Sequence, residues 1–349
     1  MTHPTFAATL CLAALAAACS TVGRAAEPAT AGPATPATPA AATRWTFDGG
    51  IHNNSLAVSP DERTAVVSYS ERSDVIVYDL TTGQVRAVLN GFVTPRNIVF
   101  APAGDRFYVS DSSIGTVAVI DTATLKTVGS VPAGAGAFGT TLSQDGRTLY
   151  VNNQVASTVT RYDLAMQQAR AVVTGFAQPR QGVRLSPDGK ALYVTNFLGD
   201  KITIVDTTTN KITGEILGFN KLRAISVTAD GKTIFAANSG SNTIAVVDVD
   251  QRAITATVAV GKDPYGAALS PDGQFLYAGN LGDNTVSVIA VATQKVVATI
   301  PGFKEPRQAI AFTRDGTLAY VLNEDLSVAK VDRASNRIVG TLTAPMRPN

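Results

Sequence analysis

Four arginines, each at the end of a similar short segment, are the residues of this sequence best suited to chemistry. Each segment reads Gly-Phe, two variable residues, Pro or Leu, and then Arg, as in Gly175–Arg180. A guanidinium group offers a rigid fork of donors that fits a carboxylate or a phosphate. Converging guanidinium groups also concentrate positive potential in a cleft. The pattern predicts an anion-binding funnel built from Arg96, Arg180, Arg223 and Arg307.

Three further segments occupy equivalent positions but lack the arginine. Two of them carry an aromatic residue, Phe138 or Tyr265, and the first carries His52 and Asn54. We predict that these four residues also contact the ligand. The alternative is that each arginine pairs with an acidic neighbour or only reflects a repeated consensus, and the sequence leaves both interpretations open. The acidic candidates are Glu71, Asp111, Asp200, Glu305 and Glu324.

The sequence shows no conventional catalytic or metal-binding group. After His3, His52 is the only histidine, so a Ser–His–Asp arrangement would depend on it alone. The only cysteines, Cys11 and Cys19, lie near the N-terminus, which leaves the rest of the chain without thiols for zinc, haem or disulfides. Calcium sites made of Asp and Asn oxygens stay open, although no EF-hand spacing occurs. We therefore predict no cofactor, no metal site and no enzymatic activity.

The arginine segments belong to a repeat that occurs seven times. Its clearest mark is a turn, most often Ser/Thr-x-Asp-Gly, whose fourth position recurs every 42 or 43 residues. Asp bonds nearby backbone amides, and Gly accepts the positive φ that such a turn needs. Short runs of β-branched and aromatic residues lie between the turns and indicate strands. The turns are Ser59–Glu62, Ala101–Gly104, Ser143–Gly146, Ser186–Gly189, Thr228–Gly231, Ser270–Gly273 and Thr313–Gly316.

This period, with four strand-like runs per copy, predicts an all-β fold: a seven-bladed β-propeller with four antiparallel strands per blade. We call the strands of a blade a to d, from the channel outwards. The first innermost strand should begin near Asn53 and the last outermost strand should end near Leu342. The d–a and b–c connections of such blades open on one face, so the arginines should meet at one channel mouth. Five b–c connections carry an asparagine, which we predict to bond turn backbone: Asn153, Asn196, Asn238, Asn280 and Asn323.

The second strands resemble the YVTN family of β-propeller repeats. The segment Tyr193-Val194-Thr195-Asn196 spells the family motif, and the resemblance extends over residues 51–342. It implies the propeller fold with some specificity. It says little about function, since the family includes surface-layer proteins, periplasmic propellers and parts of redox assemblies.

The N-terminal region predicts export. Residues 1–19 form a signal segment whose apolar run is too short to span a bilayer. Leu15–Cys19 resembles a bacterial lipoprotein signal, which implies acylation of Cys19; ordinary cleavage of a secretory peptide is the alternative. Residues 20–43 are rich in Ala, Pro and Thr and predict an extended, disordered tether before a propeller at 44–349.

Composition limits the partners. Charged residues make up 16% of the chain and the net charge is +2, without the basic runs expected of a nucleic-acid-binding protein. We predict a monomeric periplasmic propeller, held at a membrane only through Cys19. It would act as a binding or interaction scaffold for a protein, a peptide or an anionic envelope component. The alternative is a propeller enzyme, such as a lactonase-like hydrolase, or a subunit of a periplasmic redox assembly.

Overall fold

The computed structural model describes Arg44 and residues 52–345, which belong to one compact unit, Ala42–Asn349. The predicted signal segment 1–19 with Cys19 and the predicted tether 20–43 fall outside the described residues. Of the residues described, only the 3₁₀ turn Ser239–Ser241 is helical. This part of the chain contains no helix with the length and apolar character needed to cross a bilayer.

Seven antiparallel sheets of four strands follow one another along the chain, which confirms the predicted seven-bladed propeller. Blades 1 to 4 contain β1 Asn54–Val58, β2 Thr64–Tyr69, β3 Asp74–Asp79, β4 Gln84–Asn90, β5 Pro95–Phe100, β6 Arg106–Asp111, β7 Thr116–Asp121, β8 Thr127–Pro132, β9 Ala137–Leu142, β10 Thr148–Asn153, β11 Thr158–Asp163, β12 Gln168–Thr174, β13 Pro179–Leu185, β14 Ala191–Asn196, β15 Lys201–Asp206 and β16 Lys211–Ile216. Blades 5 to 7 contain β17 Leu222–Val227, β18 Thr233–Asn238, β19 Thr243–Asp248, β20 Ala253–Ala259, β21 Ala268–Leu269, β22 Phe275–Asn280, β23 Thr285–Ala290, β24 Lys295–Pro301, β25 Ile310–Phe312, β26 Leu318–Leu322, β27 Val328–Asp332 and β28 Arg337–Leu342.

The a–b turns form as their residue types predict. In blade 4, the Ser186 hydroxyl donates to Asp188 at 2.6 Å, and that carboxylate accepts the amide of Lys190 at 3.1 Å. Gly189 then takes a φ of +71°, a conformation that costs other residues energy. Five other blades repeat this bond between a hydroxyl group and an Asp carboxylate. Blade 2 has neither side chain, and its turn Ala101–Gly104 is closed by the backbone bond from the amide of Gly104 to the carbonyl of Ala101 at 2.9 Å.

The core is divided among the seven boundaries between blades. Each of seven apolar clusters joins side chains of two neighbouring blades, with the seventh blade packed on the first. Middle strands are covered on both faces, so β15 buries Ile202, Thr203, Ile204 and Val205 in succession. The outer strands alternate exposed and half-buried residues, as β4 does. The burial of both faces explains why the alternation typical of a half-exposed strand is missing from the inner runs.

Among the described residues, the ring closes without any exchange of strands, because all four strands of blade 7, β25 to β28, lie within residues 310–342. Its contact with blade 1 includes three polar links besides the apolar cluster. Tyr78 donates its hydroxyl to the carbonyl of Leu326 at 2.8 Å, and Tyr69 donates to Glu324 at 2.9 Å. Arg314 donates to the carbonyl of Pro60 at 2.9 Å. Side-chain packing and these bonds therefore hold the two ends of the propeller together.

Replacing Tyr78 with Phe should lower the free energy of unfolding by about 1–3 kcal/mol, because the buried Leu326 carbonyl would lose its hydrogen bond. Tyr193→Phe is the matched control, since no hydrogen bond from its hydroxyl to the described residues is found and the ring stays buried. Urea unfolding of the two variants measures the difference. Equal stability of both variants would show that the Tyr78 bond does not contribute to ring closure.

Candidate functional site

The d–a connections that carry Arg180, Arg223 and Arg307 are each held by the b–c asparagine of the same blade, and in blade 2 Asp111 takes this place. In blade 4, Asn196 accepts the amide of Ala177 at 2.8 Å, and in blade 7 Asn323 accepts the amide of Lys304 at 2.9 Å. Asn238 does the same in blade 5. The predicted structural role of these three asparagines is confirmed. Their side-chain oxygens accept backbone amides of the d–a connections, and their NH₂ groups donate to hydroxyl groups of the same blade.

The arginines project from an irregular start of the inner strand. In blade 4, the pairing of β13 with β14 shifts register between Pro179 and Val183, and β5 and β17 shift at the equivalent place. The proline that opens β13 has no N–H to donate, which suits the first residue of a strand. The Arg180 carbonyl accepts the Asn152 amide of blade 3 at 2.6 Å. This bond fixes the backbone of Arg180 and leaves its side chain to turn toward the channel.

A cavity of about 530 Å³ occupies the channel mouth. It is the size of a small-molecule site. Six of the eight residues predicted for ligand binding line it, and Arg96 and Asn54 do not. The lining residues from that prediction are His52, Phe138, Arg180, Arg223, Tyr265 and Arg307.

Arg96 corrects the expectation of four equivalent mouth arginines, because its side chain is completely buried behind the cavity wall. Its Nη1 donates to Asn53 at 2.5 Å and its Nε donates to Ser112 at 3.0 Å. Its guanidinium carbon lies 4.7 Å from the ring centre of Phe138. Arg96 therefore ties blades 1, 2 and 3 together. Its side chain is packed away from the space that a ligand would occupy.

Asn54 also points away from the cavity, and its neighbour Asn53 lines the wall instead. The Asn54 side chain is fully buried. Its backbone carbonyl accepts the amide of Gln308 at 2.9 Å and that of Gln181 at 3.3 Å. Strand alternation explains the correction: successive side chains face opposite sides of a strand, so only one of two adjacent asparagines can reach the channel.

Arg307 pairs with acidic neighbours, which is the alternative to ligand binding that the sequence left open. It is 7% exposed, and its Nη2 lies 3.5 Å from Glu324 and 3.7 Å from Glu305. Its Nη1 donates to the His52 carbonyl at 3.2 Å. A hydrogen bond between the two carboxyl groups raises the pKa of Glu305 and lowers the pKa of Glu324. The charge of Arg307 is thus largely neutralised by the protein itself.

Of the three predicted arginines that line the cavity, Arg180 and Arg223 have no acidic partner among residues 52–345 and Arg44. Arg180 lies over the ring of Phe197, with its guanidinium carbon 3.2 Å from the ring centre, and Arg223 lies 4.6 Å from that of Tyr265. The Nε of each is buried without a hydrogen bond. Burial, followed by the nearby charge of Arg223, lowers the pKa of the Arg180 guanidinium to about 9. Both arginines are half-buried in the cavity wall.

His52 lies at the edge of the same cavity and is half exposed. Its Nδ1 is 3.2 Å from Oε1 of Glu71. Glu71 also accepts Arg44, at 2.7 Å, and this bond is the main reason why its pKa falls below the usual range. An ionised carboxylate beside an imidazole orients the ring and supports its use as a base. Within the part of the chain described, no group of three or more His, Cys, Asp or Glu residues suited to a metal ion occurs.

Sequence reasoning missed a belt of amide side chains across the channel. Gln181 of blade 4 accepts Asn53 at 3.0 Å and Gln308 at 2.6 Å, and its own Nε2 donates to Asn97 at 3.3 Å. Blade 4 stands opposite blade 1 in the ring, so Gln181 spans the channel. A signal was present, because an amide residue directly follows the arginine in three of the four segments: Asn97, Gln181 and Gln308. The sequence did not show that these amides meet.

The comparisons with known proteins agree with this architecture. Kuenenia stuttgartiensis hydrazine synthase shares it with a TM-score of 0.73 and 21% identity, over 80% of this chain and 95% of that one. A functionally unknown protein from Desulfotomaculum acetoxidans shares it with a TM-score of 0.61 and 18% identity, over 67% of this chain and 78% of that one. At these identities the likeness concerns the fold alone. No curated protein matches the sequence.

A family model described as "Lactonase, 7-bladed beta-propeller" matches the sequence directly. It aligns with residues 48–216 and again with 202–299, which together run through well over half of the chain. The matched region contains Arg96, Arg180 and Arg223 and the whole of blades 1 to 5. The chain therefore belongs to the seven-bladed β-propeller lactonase family.

Proposed function

We propose that the protein binds a small carboxylate-bearing molecule in the mouth cavity, through Arg180 and Arg223. The observation that supports this most directly is that these two charged guanidinium groups share one cavity with no acidic partner among the described residues. Uncompensated charge in a shielded space is unfavourable. A bound anion would remove that cost, and Arg307 would contribute less because Glu305 and Glu324 already neutralise it.

The aromatic neighbours favour a carboxylate ligand. A guanidinium group whose face rests on an aromatic ring keeps its N–H groups in the plane of the fork, directed at the rim of the ring. Phe197 holds Arg180 in this way and Tyr265 holds Arg223. Two planar forks that are already oriented lose little side-chain entropy when they accept a carboxylate. The amide belt below them offers further donors and acceptors for polar groups of the ligand.

Thermal unfolding with succinate and with its neutral analogue succinamide tests this proposal. A ligand that binds only the folded state raises the melting temperature, and screening by salt weakens binding that rests on charge. We expect succinate to raise the melting temperature, more at low than at high ionic strength, and succinamide to have little effect. Equal effects of both compounds, or none from either, would contradict the proposal.

Lactone hydrolysis is the second candidate, and the family match favours it over our expectation of a protein without catalytic activity. His52, oriented by Glu71, would take a proton from water as that water attacks the lactone carbonyl carbon. Arg180 and Arg223 would stabilise the oxyanion. The ring C–O bond would then break, the ring oxygen would leave as an alcohol with the proton from His52, and the product would be a hydroxycarboxylate.

Titration of the acid released from a simple δ-lactone at constant pH measures this reaction. We expect a rate above spontaneous ring opening that falls about 10²- to 10⁴-fold toward the spontaneous rate in His52→Gln, the range typical of a lost general base. No acceleration by the native protein would exclude hydrolysis of that lactone and leave the binding function to stand alone.

We also propose that the protein acts in the periplasm, anchored through an acylated Cys19, with an anionic envelope component or the acidic group of a peptide as its ligand. The basis is the apolar segment that ends at Cys19 and the Ala-, Pro- and Thr-rich residues after it. Fractionation of native protein and of Cys19→Ser measures the anchoring. A native protein found wholly in the soluble periplasmic fraction would contradict acylation.

A further inference from the structure

A fifth arginine, Arg184, lies deeper in the channel. It lies on β13 and pairs in register with Tyr193 of β14. It lines the mouth cavity and also a second cavity of about 860 Å³, which opens among the a–b turns on the other face. Because both cavities include Arg184, this side chain stands where they meet, at the waist of the channel.

The equivalent position in every other blade carries a small or apolar residue. This position lies two residues before the first residue of the a–b turn, and Arg184 is the only charged residue found there. A single cation therefore projects into a passage whose remaining wall at that level is uncharged. The other six residues are Ala57, Val99, Thr141, Ser226, Ala268 and Ala311.

The charge of Arg184 is not neutralised by the described residues. Its Nη1 donates to the carbonyl of Val183 at 2.8 Å, and no carboxylate among them lies within ion-pair distance. The acidic residues of the second cavity are held in their turns, where Ser143 donates to Asp145 at 2.5 Å and Ser186 donates to Asp188 at 2.6 Å. The side chain of Arg184 is exposed to the solvent of the channel, and the protein atoms around it lower the pKa of its guanidinium.

The amide belt crosses the channel between the mouth arginines and Arg184, and the mouth cavity extends past the belt to Arg184. Gln181 lies between Arg180 and Arg184 on β13, and its bonds to Asn53, Asn97 and Gln308 reach across the channel above Arg184. A ligand carboxylate held by Arg180 and Arg223 would thus lie on one side of the belt. The Arg184 guanidinium remains accessible from the second cavity.

We propose that Arg184 forms a second anion site, at the channel waist, which takes a small inorganic anion such as chloride. One donor of the guanidinium group is occupied by Val183, and the fork has four more. A small anion accepts hydrogen bonds from these donors and offsets the positive charge, and no carboxylate among the described residues lies within ion-pair distance of the guanidinium group. This site does not depend on the proposed function of the mouth cavity.

The line width of the ³⁵Cl NMR signal tests the proposal, because chloride that exchanges with a protein site broadens the free signal. We expect the native protein to broaden the chloride signal. Arg184→Met should weaken chloride binding about tenfold or more, and each factor of ten corresponds to about 1.4 kcal/mol. Arg184→Gln is a second variant that keeps hydrogen-bonding capacity. Circular dichroism checks that both variants fold, and we expect both to melt no lower than the native protein.

Two controls locate the site. Arg161→Met removes another cation from the wall of the second cavity, one that already donates to the Thr207 carbonyl at 3.0 Å. Arg180→Met/Arg223→Met removes the two mouth arginines that have no acidic partner among the described residues. Both should keep most of the broadening. Broadening that persists in folded Arg184→Met, that is lost in the mouth variant instead, or that is absent from the native protein would overturn the site.

Discussion

Replacing Arg180 and Arg223 together with Met should weaken succinate binding by about 10²- to 10⁴-fold. Each hydrogen bond to a charged group contributes roughly 1.5–3 kcal/mol, and a factor of ten in affinity corresponds to about 1.4 kcal/mol. The two arginines have no acidic partner in the described part of the chain, so their donors are free for the ligand. Isothermal titration calorimetry at low ionic strength measures the loss.

The same double variant should be as stable as the native protein or slightly more stable. Removing two like charges from a shielded cavity relieves their repulsion and their desolvation, and methionine preserves much of the apolar contact with Phe197 and Tyr265. Arg86→Met/Arg337→Met is the matched control, because it removes the same charge from exposed outer strands. If this control weakened succinate binding as much as the cavity variant, the effect would come from net charge rather than from a site.

Replacing Arg96 with Met should change stability rather than affinity. We expect the free energy of unfolding to fall by about 3–5 kcal/mol, the range seen when one partner of a buried charged network is removed. The side chain is fully buried, and its loss would leave Asn53 and Ser112 without their partner beneath Phe138. Its effect on succinate affinity should be small, because Arg96 does not line the cavity. Urea unfolding and calorimetry measure the two quantities.

Arg180→Met is the control for Arg96→Met, since the two arginines follow equivalent prolines at the start of β5 and β13. We expect Arg180→Met to reduce affinity with little effect on stability, and Arg96→Met to do the reverse. Equal losses of stability in both variants would show that the two arginines have the same structural role. The predicted contrast between a ligand-binding arginine and a structural one would then be wrong.

The seven blades follow from the sequence because their determinants are local. In five of the seven blades, a Ser or Thr, an Asp and a Gly at fixed spacing close the a–b turn through contacts within six residues, as Ser186, Asp188 and Gly189 do. Blade 1 has Glu62 in place of the Gly, and blade 2 has only the Gly. Turn spacing and strand length are set within one repeat, so seven copies predict seven blades. The b–c asparagines are equally local: Asn196 and Asn323 hold the d–a connections of their own blades.

The site was only partly predictable, because the fate of each arginine depends on blades far away in sequence. Arg180 and Arg307 occupy similar segments, yet Arg307 meets Glu324 and the carbonyl of His52, which lies in blade 1. The segment that ends at Arg96 follows the same pattern, yet Arg96 is buried against Asn53 and Phe138, which belong to the two adjacent blades. The sequence determined the backbone positions of the arginines. The packing of the blades around the ring determined which of them can contact a ligand.

The channel itself belongs wholly to the tertiary structure. Gln181 spans it to reach Asn53 and Gln308, residues more than 120 positions away along the chain. In the sequence, Arg184 is one more residue of an inner strand. Only the closed ring places uncharged residues around it at the same level and brings two cavities together at its side chain. Ring closure brings together residues that no local pattern links, because the first and seventh blades meet through packing and side-chain bonds alone.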